Sequence, residues 1–227
     1  MDGSNILFSR INTFLLFSLV SIIHDVCSGT MNMQIDTLPD CIEQSIVNNF
    51  LLTNIGKTSH YGTKFHKKKT ASGEQFDLFA HSAAHRSLPF GTIVKVINTK
   101  NNYATLVKIN DRGPFIKDRI IDLSPKAAKM IDGWNNPNVI LQFFDNTKIL
   151  ENIDSTYFLG YSIFEPFIIV NRNAINITDS IDNFEGAMNL YLNADSLYTT
   201  SKYIFIKTKQ ISKQQQYFIG NFHSIKN

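Results

Sequence analysis

Tyr103–Leu123 reads YATLVKINDRGPFIKDRIIDL, and the fold follows from how this stretch is interpreted. Ala104 to Ile109 alternates small or apolar residues with polar ones, the pattern of a strand with one buried face. The strand runs straight into Asn110-Asp111-Arg112-Gly113-Pro114-Phe115, where Gly113-Pro114 turns the backbone. A second apolar run, Ile120-Ile121, ends at Asp122. Asp111 therefore stands at a strand end, beside a glycine that lets another chain approach closely. A carboxylate placed this way can aim an acid or base into a groove. It can equally cap its own backbone in an Asx-turn. The local pattern admits both.

Short runs separated by turn signals surround this stretch, as in an all-β barrel. Upstream, Ser59-His60-Tyr61-Gly62 is expected to be the first strand, His66 to Lys69 a basic loop tip, and Thr70 to Glu74 a turn leading to Phe76. Thr92–Asn98 (TIVKVIN) alternates cleanly, and Asn101-Asn102 is the hairpin turn into the central strand. Downstream, Ser124 is placed to cap a helix over Pro125–Ile131, with Pro125 at its first position. Val139–Phe144 would then close the barrel.

The chain has 227 residues, 43% hydrophobic and 18% charged, which describes globular rather than disordered protein. Its net charge of +3 is unevenly spread: Lys57 to Asp145 holds 14 Lys+Arg against 7 Asp+Glu, and the remainder is acidic. A basic surface of this kind suits nucleic acid or an anionic cell-wall polymer. Ile11–Ile23 (INTFLLFSLVSII) is too short to span a bilayer comfortably and precedes Val26-Cys27-Ser28. Residues 1–28 are therefore expected to be a signal peptide. Cys27 sits where a lipidated cysteine could stand, but His24-Asp25-Val26 before it lack the small residues of a lipobox. Cleavage after Ser28 leaves Cys41 as the only cysteine, so no intramolecular disulfide is expected.

Residues 29–56 form an expected linker with a short helix, since Ile42, Ile46 and Phe50, with Val47 and Leu51, recur at helical spacing. After the barrel at 57–146, residues 147–227 change composition. Phe184–Leu192 looks helical, and Tyr203–Thr208 and Gln216–Phe222 alternate as strands. No metal site is expected: the six histidines form no H-E-x-x-H pattern and the two cysteines no zinc knuckle.

Four segments carry a family resemblance: SHYG at Ser59–Gly62, KTASGEQFD at Lys69–Asp77, AAHRSLPFGTIVKVIN at Ala83–Asn98, and VKINDRGPFIKDRIIDLSPKAA at Val107–Ala128. In order and spacing they resemble the rare lipoprotein A (RlpA-like) family. That resemblance implies a mainly β protein built on a six-stranded double-psi β-barrel, with residues 147–227 as a small α+β extension. The extension itself weakly resembles the latter part of a SPOR glycan-binding domain.

By resemblance, the chain is an exported bacterial envelope protein, a lytic transglycosylase that cleaves the bond between N-acetylmuramic acid and N-acetylglucosamine and leaves a 1,6-anhydro end. The implied catalytic residues are Asp111, Glu74 and His85, with Tyr61, Asn110, Arg112 and Phe115 toward substrate. Asp111 would protonate the glycosidic oxygen, and the sugar's own 6-hydroxyl would then attack. The implied partner is the peptidoglycan glycan strand, with no nucleic acid and no cofactor, and the chain acting as a monomer. The related expansin barrels suggest the alternative, a groove that grips glycan without cutting it. Aromatic residues such as Tyr61, Phe90 and Phe115 could stack on sugars or pack the core.

Overall fold

In the computed structural model, which describes residue 42 and residues 44–153, 155–193, 202–208 and 215–222, the alternating stretch forms two strands. The expected signal peptide, Cys27 and Cys41 lie outside the described residues.

A short helix α1 (Gln44–Val47) and a 3-10 turn (Asn48–Phe50) precede β1 (Leu51–His60). The helix is shorter than its apolar spacing suggests, and the first strand starts at Leu51 rather than near Ser59. Leu51 and Leu52 pair with Phe144 and Phe143, and that long-range pairing overrides the local helical pattern. After β2 (Ser82–Ala84) come β3 (Ile93–Asn98) and β4 (Ala104–Asp111). These two form a hairpin with Val94 opposite Val107. Asn102 in the turn takes φ 60°, a left-handed conformation that asparagine tolerates. Next are β5 (Arg119–Leu123), α2 (Pro125–Met130) and β6 (Asn138–Phe144). Ser124 caps α2 as expected, its Oγ accepting from the Ala127 N–H at 3.2 Å.

These six strands close a barrel in the order β1-β5-β2-β4-β3-β6. The β1/β5 and β2/β4 pairs are parallel and the other pairs antiparallel. Val94, Val96, Val107, Ile109, Ile121 and Leu123 fill the interior.

The chain continues through α3 (Asn146–Asn152), which Asp145 caps by accepting from Thr147 and Lys148 N–H. Then follow β7 (Tyr157–Tyr161), β8 (Ile168–Asn171), β9 (Ile175–Ile181), α4 (Phe184–Asn193), β10 (Lys202–Lys207) and β11 (Tyr217–Phe222). The last five strands form an antiparallel sheet in the order β8-β7-β10-β11-β9. The expected helix and two strands are present. Strands β7, β8 and β9 were not anticipated; every residue of β7 is buried, so it shows no alternation to read.

Barrel and sheet share one apolar cluster. Ile93, Leu106 and Phe144 point outward from the barrel and meet Tyr161, Phe167 and Met188. Phe144 lies 5.4 Å from both the Tyr161 and Phe167 rings. Strand β3 is consequently buried on both faces.

Candidate active site

The barrel brings its polar groups together through strand register. Asp111, the last residue of β4, lies beside Ala84 of β2; Ala84 lies beside Asp122 of β5, and Asp122 beside Ser59 of β1. Cross-strand neighbours in register project from the same face. The row thus presents two carboxylates flanking a methyl group, about 10 Å apart at the backbone from two strand spacings. Gly113 lies against this floor: at φ 136°, a Cβ there would stand 3.7 Å from Asp122 Oδ2 and 3.8 Å from Ala84 Cβ. A side chain in that left-handed conformation would be strained, and it would fill the space over Ala84.

Asp111 is tightly held. Its Oδ2 accepts from the Tyr61 hydroxyl at 2.8 Å, and its Oδ1 accepts from the Ala71 and Arg112 N–H groups, each at 2.8 Å. Asp122 is held more loosely: Ser59 Oγ donates to Oδ1, and Arg119 Nε lies 3.9 Å from that same oxygen. Among the described residues no hydrogen bond reaches Asp122 Oδ2. Burial, the hydrogen bond to Asp111, and the charges of Asp111 and Asp122 all push the Tyr61 hydroxyl pKa upward. It remains a phenol that donates. Its ring packs 4.6 Å from Phe76 and 5.7 Å from Phe65, so Tyr61 serves the site through its hydroxyl rather than as an open sugar platform.

The other expected residues support this row from behind. Burial tends to raise the Glu74 pKa, but hydrogen bonds from Lys108 (2.8 Å) and Asn110 (3.0 Å), with the Lys108 charge, outweigh it and hold the carboxyl below its ordinary value. Glu74 is an anion, and buried Asn110 is its holder. The turn that carries Glu74 also supplies the Ala71 N–H to Asp111. Burial lowers the His85 pKa, and the charges of Arg112 and Arg86 lower it further. His85 Nδ1 accepts from the Ser87 and Leu88 N–H groups, which leaves the proton of the neutral ring on Nε2. The His85 backbone N–H donates to Asp111 C=O at 3.2 Å.

Two arginines fasten the loops. Arg112 donates to the His85 and Leu88 carbonyls and stacks 3.6 Å above the Phe90 ring. Arg86 donates to the carbonyls of Pro114, Ile116 and Arg119. Of the three aromatics named for sugar contact, Phe115 stands 85% exposed at the loop tip, and Phe90 is 42% exposed with one face covered by Arg112.

The sequence reading assigned no role to Asp122. The signal was present: the apolar pair Ile120-Ile121 fixes the face of Asp122 by alternation. What was missing was the parallel register that sets β5 beside β2.

The barrel segment has close sequence relatives. Residues 53–143 match the family model described as lytic transglycolase. Over 77 residues, 34% of this chain, it is 60% identical to the endolytic peptidoglycan transglycosylase RlpA of Helicobacter pylori, covering 24% of that protein. It is 51% identical over 77 residues to the Pseudomonas aeruginosa protein of the same name, covering 22% of it. The chain thus spans about a quarter of the length of the curated relatives it matches. A solved Clavibacter michiganensis expansin aligns at 12% identity and TM-score 0.34, over 76% of this chain and 97% of that one. Residues 53–143 are an RlpA-like double-psi β-barrel, similar in sequence to the lytic transglycolases.

Proposed function

We propose that the barrel cleaves peptidoglycan glycan strands as a lytic transglycosylase and works in the bacterial cell envelope. The single observation that carries this reading is the row Asp111–Ala84–Asp122. It sets two carboxylates on either side of a floor of Ala84 and Gly113. The relatives' names, endolytic peptidoglycan transglycosylase, supply the substrate.

The reaction needs a proton delivered to the leaving glycosidic oxygen and another removed from the attacking 6-hydroxyl of the N-acetylmuramic acid ring. The glycosidic C–O bond breaks, the C1–O6 bond forms, and no water is consumed. Asp111 is the general acid, with Tyr61 and the Ala71 and Arg112 N–H groups fixing its geometry. Asp122 faces the other side of the groove, where a base is needed. Glu74 and His85 orient the turn and loop around Asp111 and move no proton.

One feature favours exchanged roles. Asp111 Oδ1 already accepts two hydrogen bonds and Oδ2 one, whereas Asp122 Oδ2 accepts none among the described residues and is the more open oxygen. Comparing Asp111→Asn with Asp122→Asn on substrates bearing a good leaving group separates the two. The residue whose loss is rescued by the better leaving group is the acid. The activity itself is tested by digesting purified cell walls and analysing the products by mass spectrometry. Soluble fragments with 1,6-anhydro ends are expected; reducing ends, or binding without release, would overturn the reading.

A further inference from the structure

Strand β2 has only three residues, yet it separates the two carboxylates and leads directly into His85. Its pairing with β4 and β5 within the barrel is supplemented by an anchor from outside the barrel, just ahead of its first residue. The anchor is Glu185, in the first turn of α4, beyond the residues that match the family. Its Oε2 accepts from the His81 backbone N–H at 2.6 Å and faces the His81 ring Nδ1 at 3.0 Å. Its Oε1 accepts from Lys126 Nζ on α2. The His81 ring is fully buried, and the His81 carbonyl accepts from the Lys108 N–H of β4 at 3.0 Å. Lys108 in turn carries Glu74 on its ammonium group. A continuous series of hydrogen bonds therefore leads from α4 through His81 to the strand that ends at Asp111. Burial opposes ionisation of Glu185, but His81 and Lys126 outweigh it and hold the carboxyl at about 2, so the anchor is an anion.

We infer that Glu185 is a positioning residue for the cleavage site: by gripping the His81 backbone it fixes β2 and the spacing of Asp111 and Asp122. The C-terminal region thus contributes to the chemistry of the barrel without touching substrate. The kinetic part of this inference rests on the proposed cleavage activity; its structural part does not.

The test uses the full chain. Glu185→Ala is expected to lower kcat for fragment release about 10- to 100-fold with KM unchanged, because small misplacements of reacting groups cost this much. The amides from Ser82 to His85 should lose protection against hydrogen exchange. Lys126→Met keeps the His81 grip and should retain near wild-type kcat and protection. Unchanged kcat in Glu185→Ala would overturn the inference, as would an equal loss in Lys126→Met, which would make the effect one of surface charge. A loss that merely tracks the unfolded fraction in thermal melts would also overturn it. If the wild type releases no fragments, the functional reading fails and exchange decides alone: protection unchanged in Glu185→Ala overturns the positioning role.

Discussion

The barrel and the C-terminal sheet are both largely antiparallel, yet they bury different things. In the barrel, side chains of opposite character are stacked in register: a carboxylate row lies on one face and Val107, Ile109 and Ile121 on the other. In the C-terminal sheet the buried groups are mainly aromatic and branched apolar residues, such as Tyr157, Phe205 and Ile169. The barrel concentrates reactive groups and the sheet supplies packing surface. The two meet in the cluster around Phe144 and at the Glu185–His81 grip. The difference implies a division of labour. On the proposed function, the groups that would transfer protons sit where strand register places them, and the inferred Glu185 anchor would lend rigidity from the neighbouring region.

The strongest way to break this comparison is to remove charge from the row. Asp122→Asn is expected to lower kcat by at least about 10²-fold while leaving cell-wall binding intact, since general acid–base catalysis contributes roughly 10²–10⁴-fold. Undiminished turnover would confine the chemistry to Asp111. The shared cluster comes next. Phe144→Ala should cost about 3–5 kcal/mol, as for other buried aromatics truncated to alanine. Barrel and sheet should still unfold in one transition, followed by calorimetry. Two separated transitions would show that the regions are thermodynamically independent.

The pH dependence of stability gives a smaller, sharper test. The Glu185 pKa is lowered from 4.5 to about 2 on folding, so the group contributes stability that is fully present above pH 4.5 and lost as pH falls toward 2. Melting curves across that window should fall less steeply for Glu185→Gln than for wild type. Equal slopes would place the ionic grip elsewhere. Smallest of all is the exposed loop tip. Phe115→Ala should weaken glycan binding by about 1 kcal/mol, roughly fivefold in KM, without changing kcat or melting, because only a stacking contact is removed. A fall in kcat would give Phe115 a part in orienting the bond that breaks.

How much of this was legible in the sequence differs between the regions for the same physical reason. Strand β4 was legible from its alternation of residue types, but the expected single buried face is not found, since Leu106 packs on the shared cluster and Val107 inside the barrel; Ser124-Pro125 announced α2 through local capping chemistry. Gly113 marked the turn after β4, where the backbone takes φ 136°. Strand β7 is buried throughout, so the period that identifies a strand was absent from it. The start of β1 at Leu51 was masked because Ile42, Val47 and Phe50 pack on the shared cluster at spacing that resembles a longer helix. In the site, Asp111, Tyr61, Glu74 and His85 could be named from motifs. That Asn110 holds Glu74, and that Asp122 shares a row with Asp111, depends on contacts and pairings between residues distant in sequence or across strands.

The central claim is that Asp111 drives bond cleavage in this groove, and one substitution tests it most directly. Asp111→Asn preserves the shape of the side chain, with Oδ1 still able to accept from the Ala71 and Arg112 N–H groups and Nδ2 able to donate to the Tyr61 hydroxyl oxygen, but removes the titratable carboxyl. Release of 1,6-anhydro fragments from purified cell walls should fall about 10²–10⁴-fold, while thermal melting and sacculus binding stay close to wild type. Near wild-type release by a folded Asp111→Asn protein would contradict the account and reduce Asp111 to a turn cap.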